Sequence, residues 1–593
     1  MKGLCSPLVL LVVLGRLGGS WADRHSLERR GADSPYLENF VRHRYPTVVA
    51  FGNYLYVDGG ELLEQTNDTE TNSTQLAQSY SSHALNATLS LRLNESWTNE
   101  TAEFRSIAKT APLLDQQIYW TNTPINAFYT WGGMAVGSAA PPSADELWLF
   151  NADIGSGGGS WSQVPQGDFR DFAKLKRPVG ASFTQAGHVG YAFGGQVTSK
   201  TDPSIQKDDP GYALPSIVSF DFETNNWTNI STAGYQGYGS GTRLNGRAEY
   251  VPFGPNGLLL FLGGAESPVD ATNENIVQVL WNVLWLYDPV TRKWYSQATT
   301  GQLPPQMERA CSVGVEGPNN TFEIFIYGGT SDQYGAVSSD VHVLSLPGFV
   351  FFKANSSGTP RADHACVVVG KGKRQMLSYG GVDGGSGLRS STITPDPWRQ
   401  GLGIFDMTEM KWMDSYDPNA TNYDAPADVS GWYVRGGMKN VMWTDDAVKQ
   451  LFVNDSSITY GGNGNSTSPG SSDGSQSGRR IGGIVGGTVG GAIIITAACA
   501  AAFLVLQKRR RCQSAISEEI SEYRPEPWPK DTPRLRSATP GTMMTFVPTP
   551  TEPVEISGTA RGELPGEDVE WTYELPVPTP GTRPELPDRK YTF

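Results

Sequence analysis

The chain has 593 residues, too many for one ordinary domain, and its formal net charge at neutral pH is −14. An acidic surface repels phosphate backbones, so the composition argues against nucleic-acid binding. The five cysteines, at positions 5, 311, 366, 499 and 512, are too few for a disulfide framework. A large core must therefore supply the stability.

The first 22 residues have the parts of a secretory signal peptide. Lys2 supplies the positive charge, residues 8–14 form a short apolar core, and residues 20–22 place small side chains at the cleavage positions. This apolar core is too short to span a bilayer. We therefore expect the mature chain to begin near Asp23, with residues 23–43 as an N-terminal segment before the first domain.

From residue 44 onward one pattern recurs six times: an apolar strand that ends in two glycines. The pairs are Gly59-Gly60, Gly132-Gly133, Gly194-Gly195, Gly263-Gly264, Gly328-Gly329 and Gly380-Gly381. A second strand, a turn and an aromatic residue accompany each pair; the tryptophans in that place are Trp97, Trp161, Trp227, Trp294 and Trp412. In the fifth unit Phe351 or Phe352 takes the place. Because the patterning has a period of two, the chain is predicted to be all-β.

These units resemble the kelch repeat, a four-stranded propeller blade marked by a double glycine and a later tryptophan. The resemblance covers about residues 44–412 and implies a kelch-type β-propeller, with six blades favoured and seven left open. The glycines would allow a strand exit that a Cβ obstructs, and the tryptophans would fill the wedges between blades. Residues 413–460 are predicted to close or cover the propeller, with a short capped helix over Thr444–Phe452.

Cys311 and Cys366 occupy matching places in adjacent units, so we predict a disulfide between them. Two free thiols remain the alternative, because Cα atoms more than about 7 Å apart cannot be bridged without backbone movement.

Four arginines open the first strand of their units: Arg44, Arg177, Arg247 and Arg361. Acidic residues recur two places after the same slot, at Glu249, Glu308 and Asp363. Such side chains either pair between neighbouring blades or form a ligand face that accepts carboxylates or sugars.

Residues 481–506 form an uncharged run of 26 residues, long enough for a transmembrane helix. Two arginines precede it and four basic residues follow it, which predicts a cytoplasmic C-terminus and an external N-terminus. Residues 461–480 are rich in Gly and Ser and predict a flexible stalk, and residues 507–593 predict a disordered, Pro-rich cytoplasmic tail. This arrangement resembles the type I kelch membrane proteins of filamentous fungi, at the plasma membrane or cell surface.

Glycosylation sequons give an independent indication of this topology, because all twelve precede the uncharged run and no asparagine follows it. They are Asn67, Asn72, Asn86, Asn94, Asn99, Asn226, Asn229, Asn319, Asn355, Asn419, Asn454 and Asn465. A single sequon means little, but the one-sided distribution predicts a glycosylated, luminal ectodomain.

Two segments suggest partners on the membrane and cytoplasmic sides. Gly482, Gly486 and Gly490 form a small-xxx-small face that would let two membrane helices approach closely, which predicts a homodimer. Pro584, Pro587 and Arg589 match the P-x-x-P-x-basic pattern of SH3 ligands.

The leading hypothesis from the sequence is a cell-surface binding, adhesion or sensor protein whose propeller engages a protein or glycan. The alternative is a membrane-tethered enzyme, either carbohydrate-active or similar to copper radical oxidases. Copper would need converging imidazoles, and the six histidines, at positions 25, 43, 83, 188, 342 and 364, are well separated. We therefore predict no cofactor, metal ligand or catalytic residue.

Overall fold

A computed structural model describes residues 39–453, except 67–78, 138, 144–145, 167–171, 208, 238–240, 269–275, 332–335 and 385–393. The predicted signal peptide, most of the N-terminal segment, the stalk, the membrane segment and the tail lie outside these residues. Within them, no helix is both long and apolar enough to cross a bilayer.

The described part is mostly β-structure with two short α-helices, an architecture consistent with a kelch-type β-propeller. Its main elements are six antiparallel sheets, numbered here in chain order. Sheet 1 contains Thr47–Phe51, Tyr54–Asp58, Ala87–Arg92 and Phe104–Ala108; sheet 2 contains Ile118–Asn122, Ala127–Trp131, Trp148–Asp153 and Gly158–Gln163; sheet 3 contains Ser182–Ala186, Val189–Phe193, Ser216–Asp221 and Asn226–Ser231. Sheet 4 contains Arg247–Val251, Leu258–Leu262, Val283–Asp288 and Lys293–Ala298; sheet 5 contains Cys311–Glu316, Phe322–Tyr327, Val341–Leu346 and Val350–Lys353, with Thr300–Gly301 added in parallel; sheet 6 contains Ala365–Val369, Gln375–Tyr379, Leu402–Asp406 and Lys411–Met413.

Shorter elements lie between and around these sheets. Two three-stranded sheets are Phe40–Arg44 with Glu61–Thr66 and Ser79–Ala84, and Thr242–Leu244 with Ala265–Ser267 and Val277–Gln278. Two-stranded pairs join Leu114–Asp115 to Met134–Ala135, Gln196–Val197 to Tyr212–Ala213, Thr330–Ser331 to Ala336–Val337, and Trp97–Thr98 to Ser415–Tyr416. Single 3-10 turns cover Thr123–Ile125, Arg399–Gly401 and Gly437–Asn440.

The glycine pairs are the places where each sheet meets the next one. In every pair the second glycine donates its N–H to a backbone carbonyl of the following unit, as from Gly329 to Arg361 at 2.7 Å. The first glycine of that pair, Gly328, has a φ of +71°, and a Cβ there would lie 2.1 Å from the same Arg361 oxygen. A side chain would therefore push the neighbouring unit away and break the hydrogen bond.

The last sheet is joined to the first in the same way. Gly381 donates its N–H to the His43 carbonyl at 2.7 Å, and Tyr45 donates to the Asp363 carbonyl at 2.9 Å. One hydrophobic cluster also combines Leu55 of sheet 1 with Leu377 and Ile404 of sheet 6. These contacts close the six sheets into a ring.

The predicted tryptophans pack at the boundaries between sheets. The indole N–H of Trp161, in sheet 2, donates to the Thr88 hydroxyl of sheet 1 at 2.9 Å. Trp412, in sheet 6, lies 4.7 Å from Tyr327 of sheet 5 between ring centroids. Trp97 stacks on Tyr416 at 5.1 Å, where the end of the last unit returns to the first one. Each large ring fills a wedge that would otherwise be a void.

The segment after sheet 6 packs against sheets 4, 5 and 6. It contains helices α1 (Ala427–Val434) and α2 (Asp446–Phe452). The carboxylate of Asp445 accepts a hydrogen bond from the Val448 N–H at 2.8 Å, which caps α2. Phe452 of the same helix packs 4.7 Å from Phe349 between ring centroids. The cap and the apolar face of α2 fix this segment onto the ring.

Candidate ligand-binding cavity

A cavity of about 430 Å³ lies where the first strands of the six sheets converge. Its walls come from all six units, and Tyr119, Phe183, Arg247, Ser312 and Val367 each lie on a different one of those strands. Alternate residues of a strand point to the same side, so each first strand can present only a few side chains to the cavity. The residues that do so differ from unit to unit, whereas the glycine pairs do not.

One end of the cavity is bordered by six residues that precede the first strands and have left-handed backbone conformations. They are Tyr45, Gln116, Gly180, Asn245, Arg309 and Asp363, with φ between +51° and +67°. Several donate their N–H to the carbonyl of the preceding member, as from Arg309 to Asn245 at 2.9 Å and from Asp363 to Arg309 at 3.1 Å. We call these six residues the rim. Five of them are not glycine, so the ring holds them in a sparsely populated conformation.

The charges of the rim are paired. Arg309 donates from Nη1 to the Asp363 carboxylate at 3.3 Å, and its Nε lies 3.7 Å from the Glu308 carboxylate. Burial raises the pKa of Asp363, and the Arg309 guanidinium opposes that shift. The same carboxylates raise the pKa of Arg309, although its burial acts in the opposite direction.

The charges on the sheet 4 wall are not paired in this way. Arg247 donates from Nε to the Ala310 carbonyl, and its Nη2 lies 3.5 Å from the His364 carbonyl. No carboxylate among the described residues lies within 4.0 Å of this guanidinium. Burial lowers the pKa of Arg247, and the more distant Asp363 and Glu249 carboxylates oppose that shift. Glu249 accepts a hydrogen bond from the Ser312 hydroxyl at 2.6 Å, and burial raises its pKa to about 7.

Sheets 2 and 3 contribute an aromatic and amide wall. The rings of Tyr119 and Phe183 meet edge to face, with centroids 5.1 Å apart. Beside them, the Gln185 amide accepts from the Thr121 hydroxyl at 2.9 Å and donates to the Thr121 carbonyl at 3.0 Å. This reciprocal pair fixes the two strands and keeps the aromatic edge in place.

Cys311 and Cys366 form a disulfide in the wall between sheets 5 and 6, with their Cα atoms 5.6 Å apart. His364 lies beside them, and one donor atom from each of the three residues falls within 4.8 Å of the others. Both ring nitrogens of His364 are buried without a hydrogen-bond partner among the described residues. Because the disulfide uses both sulfur atoms, the thiolates that a metal ion would need are not free.

The four arginines of the recurring slot do not form one ligand face, since only Arg247 lines the cavity. Arg44 donates from Nε to Glu61 at 2.8 Å, and Arg361 is buried against Asp396 at 2.8 Å from Nη1. Arg177 donates from Nη2 to the Glu146 carbonyl at 2.8 Å. The four positions are not equivalent in the ring. Arg44, Arg177 and Arg361 lie before the rim residue of their unit, whereas Arg247 lies after Asn245, in the first strand of sheet 4. The expectation of a four-arginine ligand face is therefore wrong.

The five histidines that the structure describes do not lie together at one point, as the copper site of a copper radical oxidase would require. Among those that the structure describes, only His364 lines the cavity. His43 is buried between the Tyr379 hydroxyl at 3.0 Å and the Gly59 carbonyl at 2.8 Å. His342 is buried in sheet 5, while His83 and His188 are largely exposed. His25 lies outside the described residues.

The rim residues Gln116, Asn245 and Arg309 were not singled out from the sequence. In the sequence these three residues share only one feature, a polar side chain just before the first strand of a unit. Polar residues are common in all loops, so this feature does not identify a site. Only the ring, which places the equivalent residues of all units around one opening, distinguishes them.

The fold and the cavity define a ring of kelch-like sheets with a ligand-sized central site. In comparisons with known proteins, the chain is 25% identical over 451 residues to a kelch repeat-containing protein of Arthroderma benhamiae, covering 69% of this chain and 62% of that protein. It is 22% identical over 248 residues to human kelch domain-containing protein 3, covering 40% of this chain and 56% of that protein. No family model matches the chain. The two similarities support a kelch-repeat protein and suggest a role in protein interaction.

Proposed function

We propose that this chain is a cell-surface binding, adhesion or sensor protein in which a six-bladed kelch-type propeller engages an extracellular protein or glycan. The six sheets would be the blades, and the segment that carries α1 and α2 would cover the boundaries between sheets 4, 5 and 6. The proposed ligand site is the central cavity together with its rim.

The observation that carries this proposal is the contrast between the repeated and unrepeated residues of the ring. The glycine pairs and wedge tryptophans recur in nearly every unit and build the framework. The side chains that line the cavity, such as Tyr119, Arg247 and Ser312, do not repeat from one unit to the next. A site that combines rigid supports with a few distinct polar and aromatic groups is typical of ligand pockets.

The extracellular location is supported by the positions of the sequons. Of the eight sequon asparagines that the structure describes, seven are exposed and Asn99 is half-buried, so an oligosaccharide would not meet the core. In this proposal residues 481–506 span the membrane once, with Gly482, Gly486 and Gly490 available for a homodimer contact. The tail would offer Pro584, Pro587 and Arg589 to an SH3-type partner in the cytoplasm.

A matched pair of variants tests the cavity as the ligand site. Val367 lines the cavity, and Val367→Trp would fill it, whereas Val290 is 68% exposed and Val290→Trp adds the same ring elsewhere. The whole chain, purified in a non-ionic detergent, is applied to protein and glycan arrays. We expect ligands that are retained by the wild type and Val290→Trp and lost by Val367→Trp.

Circular dichroism of both variants verifies that each remains folded. Ligands that Val367→Trp retains would place binding outside the cavity, and arrays without any retained ligand would contradict the binding function.

A further inference from the structure

We propose that the cavity binds a small sugar acid, with the sugar carboxylate on Arg247. This inference rests on the proposed binding function and names the class of ligand for the same cavity. Three features of the described residues carry it: an arginine that forms no ion pair within 4.0 Å, an aromatic edge next to it, and a buried imidazole whose nitrogens have no hydrogen-bond partner.

Arg247 differs from three other enclosed arginines of the ring. Arg243 lies 3.5 Å from Glu266, and Arg42 and Arg361 each form an ion pair with an aspartate. Arg247 is half-buried and contacts only backbone carbonyls among the described residues. The Asp363 and Glu249 carboxylates act on Arg247 without contacting it, and they oppose the effect of its burial only in part. An anion that contacts the guanidinium directly would reduce the remaining cost of burying this charge.

The neighbouring acid does not replace that anion. Glu249 lies two residues along the same strand, and its carboxylate is held by Ser312 rather than by Arg247. A guanidinium offers two parallel donors, a geometry that matches a carboxylate better than a single hydroxyl. The group that Arg247 would bind is therefore a carboxylate of the ligand.

The remaining lining fits a hydroxylated ring rather than an extended apolar chain. Tyr119 and Phe183 present an aromatic edge, and the Ser312 hydroxyl and Glu249 carboxylate are hydrogen-bonding groups on the adjoining wall. His364 is only 2% exposed, yet neither ring nitrogen has a partner among the residues described. Ligand hydroxyls can donate to and accept from such groups. A cavity of about 430 Å³ is of the size that holds one small molecule.

Isothermal titration of the whole detergent-solubilised chain tests this inference. Sodium D-glucuronate and D-glucose differ by a carboxylate in place of a hydroxymethyl group, and we expect glucuronate to bind at least about tenfold more tightly. Methyl β-D-glucuronide, which mimics a chain-terminal residue, distinguishes a free sugar acid from a glycan end. Arg247→Gln should weaken glucuronate binding at least about tenfold.

Two further variants keep the test decisive. Arg399→Gln makes the same substitution at a side chain that is 49% exposed and outside the cavity lining, and it should bind as the wild type does. If Arg247→Gln fails to fold, Arg247→Lys keeps the charge but loses the bidentate geometry, and it should bind glucuronate more weakly. Equal binding of glucose and glucuronate, or wild-type affinity in a folded Arg247 variant, would overturn the proposal.

The two proposals fail in different ways. If Val367→Trp removes an array ligand but glucuronate neither binds nor competes with that ligand, the sugar-acid inference is wrong and the binding function stands. If the arrays retain nothing and glucuronate gives no heat, both are wrong.

Discussion

The double glycines make a quantitative prediction, because the ring offers a matched pair of glycines with similar backbone conformations and different surroundings. Gly328 has a φ of +71°, and a Cβ there would lie 2.1 Å from the Arg361 carbonyl oxygen. Gly187 has a φ of +58° in a hairpin turn, and a Cβ there would meet nothing within 4 Å. Gly187→Ala thus measures the backbone cost alone, and Gly328→Ala adds the cost of the collision.

The backbone cost should be about 1 kcal/mol in both variants, since an L-residue adopts the left-handed conformation with that penalty. At Gly328 the collision adds about 1–3 kcal/mol for overpacking. Losing the Gly329 hydrogen bond to Arg361 adds about 0.5–1.5 kcal/mol. We therefore expect Gly328→Ala to be less stable than Gly187→Ala by about 1.5–4.5 kcal/mol, the sum of those two terms.

Urea-induced unfolding of the whole chain, followed by tryptophan fluorescence, measures this difference. The free energy of unfolding must fall with urea concentration at a similar slope in both variants. The difference between their unfolding midpoints then reports the difference in stability. If their free energies of unfolding agree within about 1 kcal/mol, the glycine pairs are not sites of close approach between units, because a collision of this kind costs at least that much.

Four other predictions test the remaining features. Thiol titration of the denatured, unreduced chain should find Cys311 and Cys366 unreactive, and reactivity of both would contradict the disulfide. Removal of N-linked glycans should lower the apparent mass substantially, and protease applied to intact cells should remove the ring and spare the tail. A peptide of residues 581–593 should capture SH3-domain proteins that a Pro584→Ala/Pro587→Ala control does not. Glu323→Gln should remove a loss of stability that the wild type shows as pH rises through neutrality.

The framework could be predicted from the sequence because its residues repeat. In each unit the backbone of the next unit passes close to the glycine pair, and the wedge between two sheets needs a large aromatic ring. The same residue types therefore recur in successive units. The first strand of the second unit, Ile118–Asn122, carries a weak sequence pattern, because only Ile118 and Trp120 are buried while Tyr119 and Thr121 line the cavity. The sequence pattern that predicts a strand is weakest where one face of the strand lines the cavity and the other packs in the core.

The candidate site could not be predicted, for the same physical reason. Arg44, Arg177, Arg247 and Arg361 occupy similar places in the sequence, yet only Arg247 reaches the cavity. The other three lie before the rim residue of their unit, where other segments supply partners such as Asp396 for Arg361. Whether an arginine lies before or after the rim depends on where each first strand begins, and the repeat pattern does not define that point to within a few residues.

The pH prediction depends on Glu323, a carboxylate that forms no ion pair among the described residues. Glu323 is fully buried in sheet 5, where it accepts hydrogen bonds from Ser345 at 3.0 Å and from Tyr423 at 3.2 Å. Burial raises its pKa to about 7, from an ordinary value of 4.5. The folded chain therefore holds this proton more tightly than the unfolded chain does. Its contribution to stability is complete below about pH 4.5 and is lost as pH rises through about 7.

The size of this loss of stability follows from the rise in the pKa of Glu323. Between pH 5 and pH 8 the free energy of unfolding should fall by about 2.5 kcal/mol, at about 1.36 kcal/mol for each pKa unit. Glu323→Gln keeps the shape and has no charge to form, so its stability should fall less over that range. Glu316→Gln, at the exposed end of the adjacent strand, is the matched control and should follow the wild type. Parallel pH profiles for wild type and Glu323→Gln would show that Glu323 is ionised at both pH values, and that Ser345 and Tyr423 fully compensate for its burial.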